Sequence, residues 1–311
     1  MSEYEALLAG HSPPAEDDHR SISEPVDGAS FSRRDTFCAG SVNAARGAGK
    51  RVPAAPGRMT PAAQAERILR AFNTWSFKRE QPSDPQLLQQ FVARAVAMHR
   101  PIPFLFYWGK GPRCRLDGHD RKCLDFLGSM AHRIAAVYEP GAEMRLIFTD
   151  THARLNGYPE NVINNYFASV APEAAARGFA WCRLSELISA THAQPEDYAL
   201  GDAVPEDMLA RLCVSAMKWY HGAATPREGA IIYFHMNMIE KRAVELAFPD
   251  AIFATFNSSK FRILFPKRLP IFYMYSLQRG VSVKPWFLPA DAKLCTELSC
   301  HCRTEGGSAD Q

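Results

Sequence analysis

Two short segments of the sequence combine charged side chains that could bind a small anion and move its protons. In the first, Trp108 to Arg113, the basic residues Lys110 and Arg113 stand among glycines. Glycine lets backbone N–H groups approach an anion closely, and the two cations supply charge for a phosphate or a carboxylate. The segment is interpreted as an anion-binding loop. A basic surface loop is the alternative, because the segment lacks the spacing of a nucleotide phosphate loop.

The second segment, Thr149 to His152, directly follows an apolar run. A carboxylate and an imidazole at this position suit a general base and its orienting partner, so Asp150 and His152 are candidate catalytic residues. Thr149 is a candidate substrate contact. The alternative is a polar loop in which Asp150 caps a turn.

A third basic segment follows residue 256. Its candidate substrate-binding residues are Asn257, Ser259, Lys260 and Arg262. In an extended strand, alternation would place Lys260 and Arg262 on the same face. They would then form a second anion clamp or, alternatively, the solvated face of an edge strand.

The cysteines do not predict a metal site. Cys295, Cys300, His301 and Cys302 form one cluster near the C-terminus, whereas structural zinc sites usually draw paired ligands from two segments. Cysteines that fall in separate elements are interpreted as reduced packing residues: Cys114, Cys123, Cys182 and Cys213. The sequence also lacks the G-x-S-x-G, H-E-x-x-H and G-x-G-x-x-G motifs of common hydrolases, metalloproteases and dinucleotide-binding proteins.

Alternating helices and strands would position these segments. Helices are predicted to begin at Thr60-Pro61 and Asp84-Pro85 and to cover Cys123 to Tyr138, Pro159 to Val170, 205–220 and 231–248. Strands are predicted at Pro103 to Tyr107, Met144 to Thr149, Phe179 to Leu184, Ala251 to Phe256, Phe261 to Phe265 and Ile271 to Ser276. This order predicts an α/β fold, with a Rossmann-like, mostly parallel sheet flanked by helices. A β-rich C-terminal section with antiparallel pairing would follow. Ligands of such sheets bind beyond the carboxyl ends of the strands, where the first two segments fall.

Composition limits the class of protein further. The chain has 311 residues, of which 47% are apolar, and a formal net charge of +3. It shows no Lys/Arg stripe typical of nucleic-acid binding, no apolar run long enough to span a bilayer and no signal peptide, so a cytoplasmic protein is expected. The predicted organisation is a flexible leader at 1–58, an α/β catalytic domain at 59–302 and a loose tail at 303–311.

The order of several motifs resembles the pyoverdine/dityrosine biosynthesis family, whose members include isonitrile (isocyanide) synthases. The motifs are Pro101 to Tyr107 followed by Lys110, Glu139 to Ala142, Leu146 to Asp150, Met238 to Glu240, Phe248 to Ile252, Ser259 to Phe261, and Pro285-Trp286. Together they extend over about residues 60–290.

The resemblance implies an enzyme that joins the amino group of an amino acid, such as tyrosine or tryptophan, to the ketone carbon of ribulose 5-phosphate. Phosphate and sugar fragments leave, and one carbon remains as the isonitrile. It implies no metal or redox cofactor. On this resemblance Lys110 is a phosphate-binding or catalytic cation, Asp150 a site carboxylate and Lys260 a substrate contact, while His152 is added as an acid–base group from its position. The expected partners are small molecules, with a homodimer as a possible assembly.

Three stretches differ from the family pattern. Arg154 to Gly157 lacks a carboxylate, Ile252 to Asn257 lacks a basic residue and an imidazole, and Phe287 replaces a histidine. Loss of these groups would change how an anion is held and how protons move. Three hypotheses follow: an isonitrile synthase, a diverged enzyme on the same scaffold that converts an amino acid or small anionic metabolite, and a non-catalytic pathway binding protein.

Overall fold

A parallel β-sheet forms the centre of the computed structural model, which describes residues 59–109, 115–198 and 202–274. Within these residues the sheet has five strands in the order β3-β2-β1-β4-β5, and all four neighbouring pairs are parallel. The strands are β1 (Ile102–Trp108), β2 (Ala142–Phe148), β3 (Ala180–Arg183), β4 (Ile252–Thr255) and β5 (Ile271–Tyr273). The predicted mostly parallel α/β fold is confirmed.

Helices connect the strands. They are α1 (Pro61–Phe72), α2 (Pro85–Ala97), α3 (Gly118–Ala135), α4 (Asp150–Leu155), α5 (Glu160–Ala176), α6 (Leu184–Thr191), α7 (Glu206–Trp219) and α8 (Pro226–Ala247), with a 3-10 helix at Ser259–Leu264. Among the described residues, no helix combines the length and the apolar character that crossing a membrane requires.

The starts of the first two helices follow from their caps. Thr60 Oγ1 accepts a hydrogen bond from the backbone N–H of Ala63 at 3.3 Å, and Asp84 Oδ1 accepts one from Leu87 at 2.8 Å. In each helix a proline occupies the first position, where no N–H is needed. Both predicted helix starts are confirmed.

The sheet is covered on both faces by apolar side chains. On one face Phe72 of α1 packs edge-on against Phe104 of β1, with ring centroids 5.2 Å apart. On the other, Tyr107 of β1 packs against Phe253 of β4 at 4.8 Å. The chain runs from β1 to β2 and β3 on one side and then crosses to β4 and β5 on the other, so the topological switch point lies between β1 and β4. Ligands of doubly wound folds bind beyond the carboxyl ends of the strands at such a point.

The C-terminal section differs from the prediction. Two of its three predicted strands are present as β4 and β5, but they pair in parallel, so the predicted antiparallel pairing is wrong for the described strands. The predicted strand Phe261 to Phe265 is also wrong, because these residues lie in and after the 3-10 helix. Arg262 donates to the carbonyl oxygens of Phe265 and Pro266, at 3.2 and 2.9 Å. These local hydrogen bonds replace a strand ladder, and Lys260 and Arg262 therefore do not alternate along a strand.

The segment after β2 also differs. The polar residues from Asp150 to Tyr158 predict a loop, whereas the first part of this segment forms helix α4. Several predictions fall outside the described residues and stay predictions: the leader at 1–58, the tail at 303–311, the cysteine cluster from Cys295 to Cys302, and the residues Lys110 and Arg113.

Candidate active site

A cavity of about 330 Å³ lies past the carboxyl ends of β2 and β4, among α7, α8 and the 3-10 helix. Its volume is within the range of small-molecule sites. Six aromatic side chains contribute to its lining: Tyr158, Trp219, Tyr220, Tyr233, Phe261 and Phe265. This lining suits the apolar or aromatic part of a small ligand.

Polar groups also line the cavity. Asn156 and Asn257 contribute side-chain amides, and Arg211 and Lys218 contribute positive charge. The Arg211 guanidinium is anchored, because it donates to the backbone oxygen of Lys260 at 2.9 Å. Lys218 is solvent-exposed. An anionic group on a ligand could therefore be held by these two cations while its apolar part enters the aromatic lining.

A fully buried histidine–carboxylate pair lies next to this cavity. His152 Nε2 is 2.5 Å from Glu240 Oε2, and both side chains have 0% exposure. The hydroxyl of Thr151 donates to the other carboxylate oxygen of Glu240 at 2.6 Å. The buried carboxylate thus accepts two hydrogen bonds. These offset the free energy that is lost when a charged group is removed from water. These contacts fix α4 against α8 and orient the imidazole.

Tyr233 connects the buried pair to the cavity. Its ring lines the cavity, and its centroid is 5.1 Å from that of His152. Tyr233 precedes Glu240 by seven residues on α8, so the two side chains lie on the same helix face. One aromatic ring therefore separates the imidazole from the space that a ligand would occupy.

Tyr107 completes the buried cluster from the carboxyl end of β1. Its ring lies edge-on to His152, with centroids 5.9 Å apart. Burial, together with the charges of Glu240 and Glu245, raises the pKa of Tyr107 well above its ordinary value. Tyr107 therefore stays protonated at neutral pH and adds no negative charge beside Glu240.

Asp150 makes three contacts within the fold. It is fully buried and accepts hydrogen bonds from the backbone N–H of Ser185 at 3.1 Å and from the Ser185 hydroxyl at 2.5 Å. Arg154 donates to it at 3.0 Å. Ser185 lies in the first turn of α6, where backbone N–H groups lack partners within the helix. Asp150 therefore supplies an acceptor to the first turn of α6, and its role as a catalytic residue stays a prediction.

We expect Asp150→Ala to lower the unfolding free energy by about 2 to 3 kcal/mol, because a buried N–H and a hydroxyl lose their acceptor. Urea unfolding monitored by circular dichroism would measure it. Arg154→Ala is the matched control, since it keeps the Ser185 contacts, and it should cost less. Equal losses in the two variants would show that the ion pair, and not the cap, stabilises this end of β2.

The other predicted site residues lie in different surroundings. Thr149 is buried and its hydroxyl donates to the backbone oxygen of Trp108 at 3.0 Å, which joins the ends of β1 and β2. Asn257 lines the cavity.

The predicted residues of the 3-10 helix have other contacts. The backbone N–H of Ser259 donates to Glu80 at 3.0 Å, and Lys260 is exposed. Burial lowers the pKa of Arg262, which binds nearby carbonyl oxygens.

The structure thus brings together His152 and Asn257 near the cavity and gives Asp150, Thr149 and Arg262 contacts within the fold. Lys110 and Arg113 follow Gly109, the last described residue after β1. Gly109 has a φ of +94°, and a Cβ there would lie 2.6 Å from the ring of Phe167, so only glycine fits.

Sequence reasoning missed several residues that now define the site. The structure adds Glu240, Tyr233, Tyr107, Arg211 and Lys218. A signal was available for Glu240, because it is a carboxylate inside a largely apolar helical stretch. Within the described residues there is no group of three or more potential metal ligands.

Cys182 packs against the hydrophobic core, as expected of a packing residue. Burial, opposed by nearby Arg145, raises the pKa of this thiol from 9.0 to about 11. Since the thiolate is the nucleophile, alkylation by iodoacetamide at pH 8 should be about 100-fold slower than for a thiol of pKa 9. Peptide mass spectrometry of native and urea-unfolded protein would compare the rates, and equal rates would contradict the expectation.

Comparison with known proteins supports the fold. No family model matches the sequence, and no curated protein matches it. Among solved structures, the crystal structure of the PvcA protein from Pseudomonas aeruginosa is similar, with a TM-score of 0.55 and 16% sequence identity. The match covers 72% of this chain and 87% of that chain. At this level of identity the similarity shows a shared α/β fold.

Proposed function

We propose that this protein is a biosynthetic enzyme that binds a small, amino-acid-like anion in the cavity beside α7 and α8. The observation that carries the proposal is the lining of that cavity, in which six aromatic side chains stand together with Arg211 and Lys218. An amino acid with an apolar or aromatic side chain combines the same two features. The cations would hold its carboxylate, and the rings would surround its side chain.

The specific reaction we propose is of the isonitrile synthase type, in line with the motif resemblance and the shared fold with PvcA. The amino group of the substrate attacks the ketone carbon of ribulose 5-phosphate and water leaves as the imine forms. A proton next to the imine must then be removed, which requires a general base. In the proposal His152, oriented by Glu240, is that general base. The ring of Tyr233 lies between the imidazole and the cavity, so it must move aside for the proton to be taken.

A second candidate is a diverged enzyme that uses other chemistry on the same scaffold. The contacts of Asp150 favour it. Ser185 and Arg154 engage both oxygens of this carboxylate, so the family-like site carboxylate serves the fold. The bound anion would still occupy the aromatic cavity, but a pentulose phosphate would not be its co-substrate.

The test is incubation of the purified full chain with ribulose 5-phosphate and, in separate reactions, tyrosine, tryptophan, phenylalanine and valine. Phosphate release and mass spectrometry of the product, after trapping of the isonitrile, report turnover. Amino-acid-dependent phosphate release supports isonitrile chemistry. Amino acid binding by calorimetry without phosphate release excludes isonitrile chemistry and leaves the diverged enzyme or a non-catalytic binding protein. The absence of both binding and phosphate release overturns the proposed function.

A further inference from the structure

Tyr220 forms a wall of the cavity and lies directly on a glycine. It directly follows Trp219, the last residue of α7, and caps the helix, and its side chain lines the cavity. A Cβ built on Gly229 would lie 2.9 Å from three ring atoms of Tyr220, Cδ2, Cε2 and Cζ. Atoms do not approach so closely, so the ring occupies the space that any other residue at position 229 would need.

Gly229 stands at a position where the helix would otherwise favour alanine. It lies in the first turns of α8, a helix that begins with a strong signal: Thr225 and Glu228 cap each other's backbone N–H groups, and Pro226 follows the cap. Glycine is a poor helix former, and alanine would favour this helix more. The packed ring of Tyr220 accounts for the absence of a side chain there.

The tyrosine is held at its other end as well. A Cβ on Gly222 would lie 2.5 Å from the Tyr220 hydroxyl oxygen, and the backbone N–H of Ala224 donates to that oxygen at 3.3 Å. The ring is therefore enclosed between two glycines and tied to the connection between α7 and α8. Its position determines how far the cavity extends at this end.

We infer that Tyr220, seated on Gly229, determines the size of the ligand that the cavity accepts. The inference rests on the proposed function only in taking this cavity as the ligand site. It does not depend on which reaction follows. A shorter side chain at position 220 extends the cavity toward Gly229, and a side chain at position 229 moves the ring into the cavity.

Binding of two aromatic carboxylates of different size tests the inference. The probes are benzoate and 2-naphthoate, measured by isothermal titration calorimetry with the full chain. The quantity of interest is the ratio of the Kd for 2-naphthoate to the Kd for benzoate. We expect Tyr220→Ala to lower this ratio at least tenfold and Gly229→Ala to raise it at least tenfold.

Two matched variants separate ring size from other effects. Tyr220→Phe keeps the ring and removes the hydroxyl that Ala224 binds, so its ratio should lie closer to that of the wild type than to that of Tyr220→Ala. Gly128→Ala is the control for a helical glycine, because the nearest atom to its Cβ would be 3.9 Å away. If Tyr220→Ala fails to fold, Gly229→Ala alone decides, since alanine favours the helix.

The inference is overturned if neither carboxylate binds the folded wild-type chain, or if the ratio stays within twofold of the wild-type ratio in whichever of Tyr220→Ala and Gly229→Ala folds. Failure of the proposed function would give a different experimental result. In that case no amino acid is turned over, yet the ratio for the two carboxylates still changes as expected.

Discussion

Replacing Glu240 with alanine should lower the unfolding free energy of the protein by about 3 to 5 kcal/mol, because the change removes one partner of a fully buried pair. His152 and the hydroxyl of Thr151 both lose their acceptor, in a place that water does not reach. These two contacts join α4 to α8 across the carboxyl end of the sheet. Chemical denaturation at neutral pH would measure the loss.

Glu240→Gln is the control for this prediction. The glutamine oxygen can accept from His152, and its amide group can donate to the Thr151 oxygen, so the variant should lose much less stability than Glu240→Ala. If the two variants were equally destabilised, the charge would matter more than the hydrogen bonds. A loss below about 1 kcal/mol in Glu240→Ala would contradict a tightly buried pair, because such a small change is typical of exposed pairs.

Filling the cavity should have the largest effect on function. Ala216 lies on α7 and lines the cavity, so the ring of Ala216→Phe can occupy the space intended for a ligand. We expect kcat/KM, or the binding constant where no turnover is found, to fall at least about 100-fold, which corresponds to about 2.7 kcal/mol. The unfolding midpoint should change little, since the added ring enters existing space.

Ala210→Phe is the matched control for the cavity variant. It places the same substitution on the same helix at an exposed residue that does not line the cavity. This variant should keep wild-type binding and turnover. Undiminished activity in a folded Ala216→Phe protein would show that the substrate binds elsewhere, and the proposed function would then lose the observation that carries it.

The sequence predicted the parts of the fold that depend on neighbouring residues. The cap-and-proline pairs at Thr60-Pro61 and Asp84-Pro85 identify helix starts because the side chain and the N–H groups it satisfies are three residues apart. The apolar run from Pro103 to Tyr107 predicts a strand buried on both faces, and β1 is such a strand. The parallel α/β class follows from the order of these elements.

Sequence patterns gave the wrong element for residues 261–265 and gave no sign of the contacts that Asp150 makes. Alternation from Phe261 to Phe265 suggested a strand, but Arg262 binds the carbonyl oxygens that follow it and a 3-10 helix forms. Asp150 has the residue type expected of a catalytic carboxylate. Its contacts with Ser185, 35 residues away, show how the fold uses it.

The sequence by itself determined the longer helices, the buried strands and the class of the fold, because capping and apolar patterns act over a few residues. Only the tertiary structure decided the composition of the site. His152 and Glu240 are 88 residues apart in the chain, and the cavity draws its lining from residues 155 to 265. Such groups meet only after the sheet has formed and α8 has packed against it, so no local pattern records their proximity.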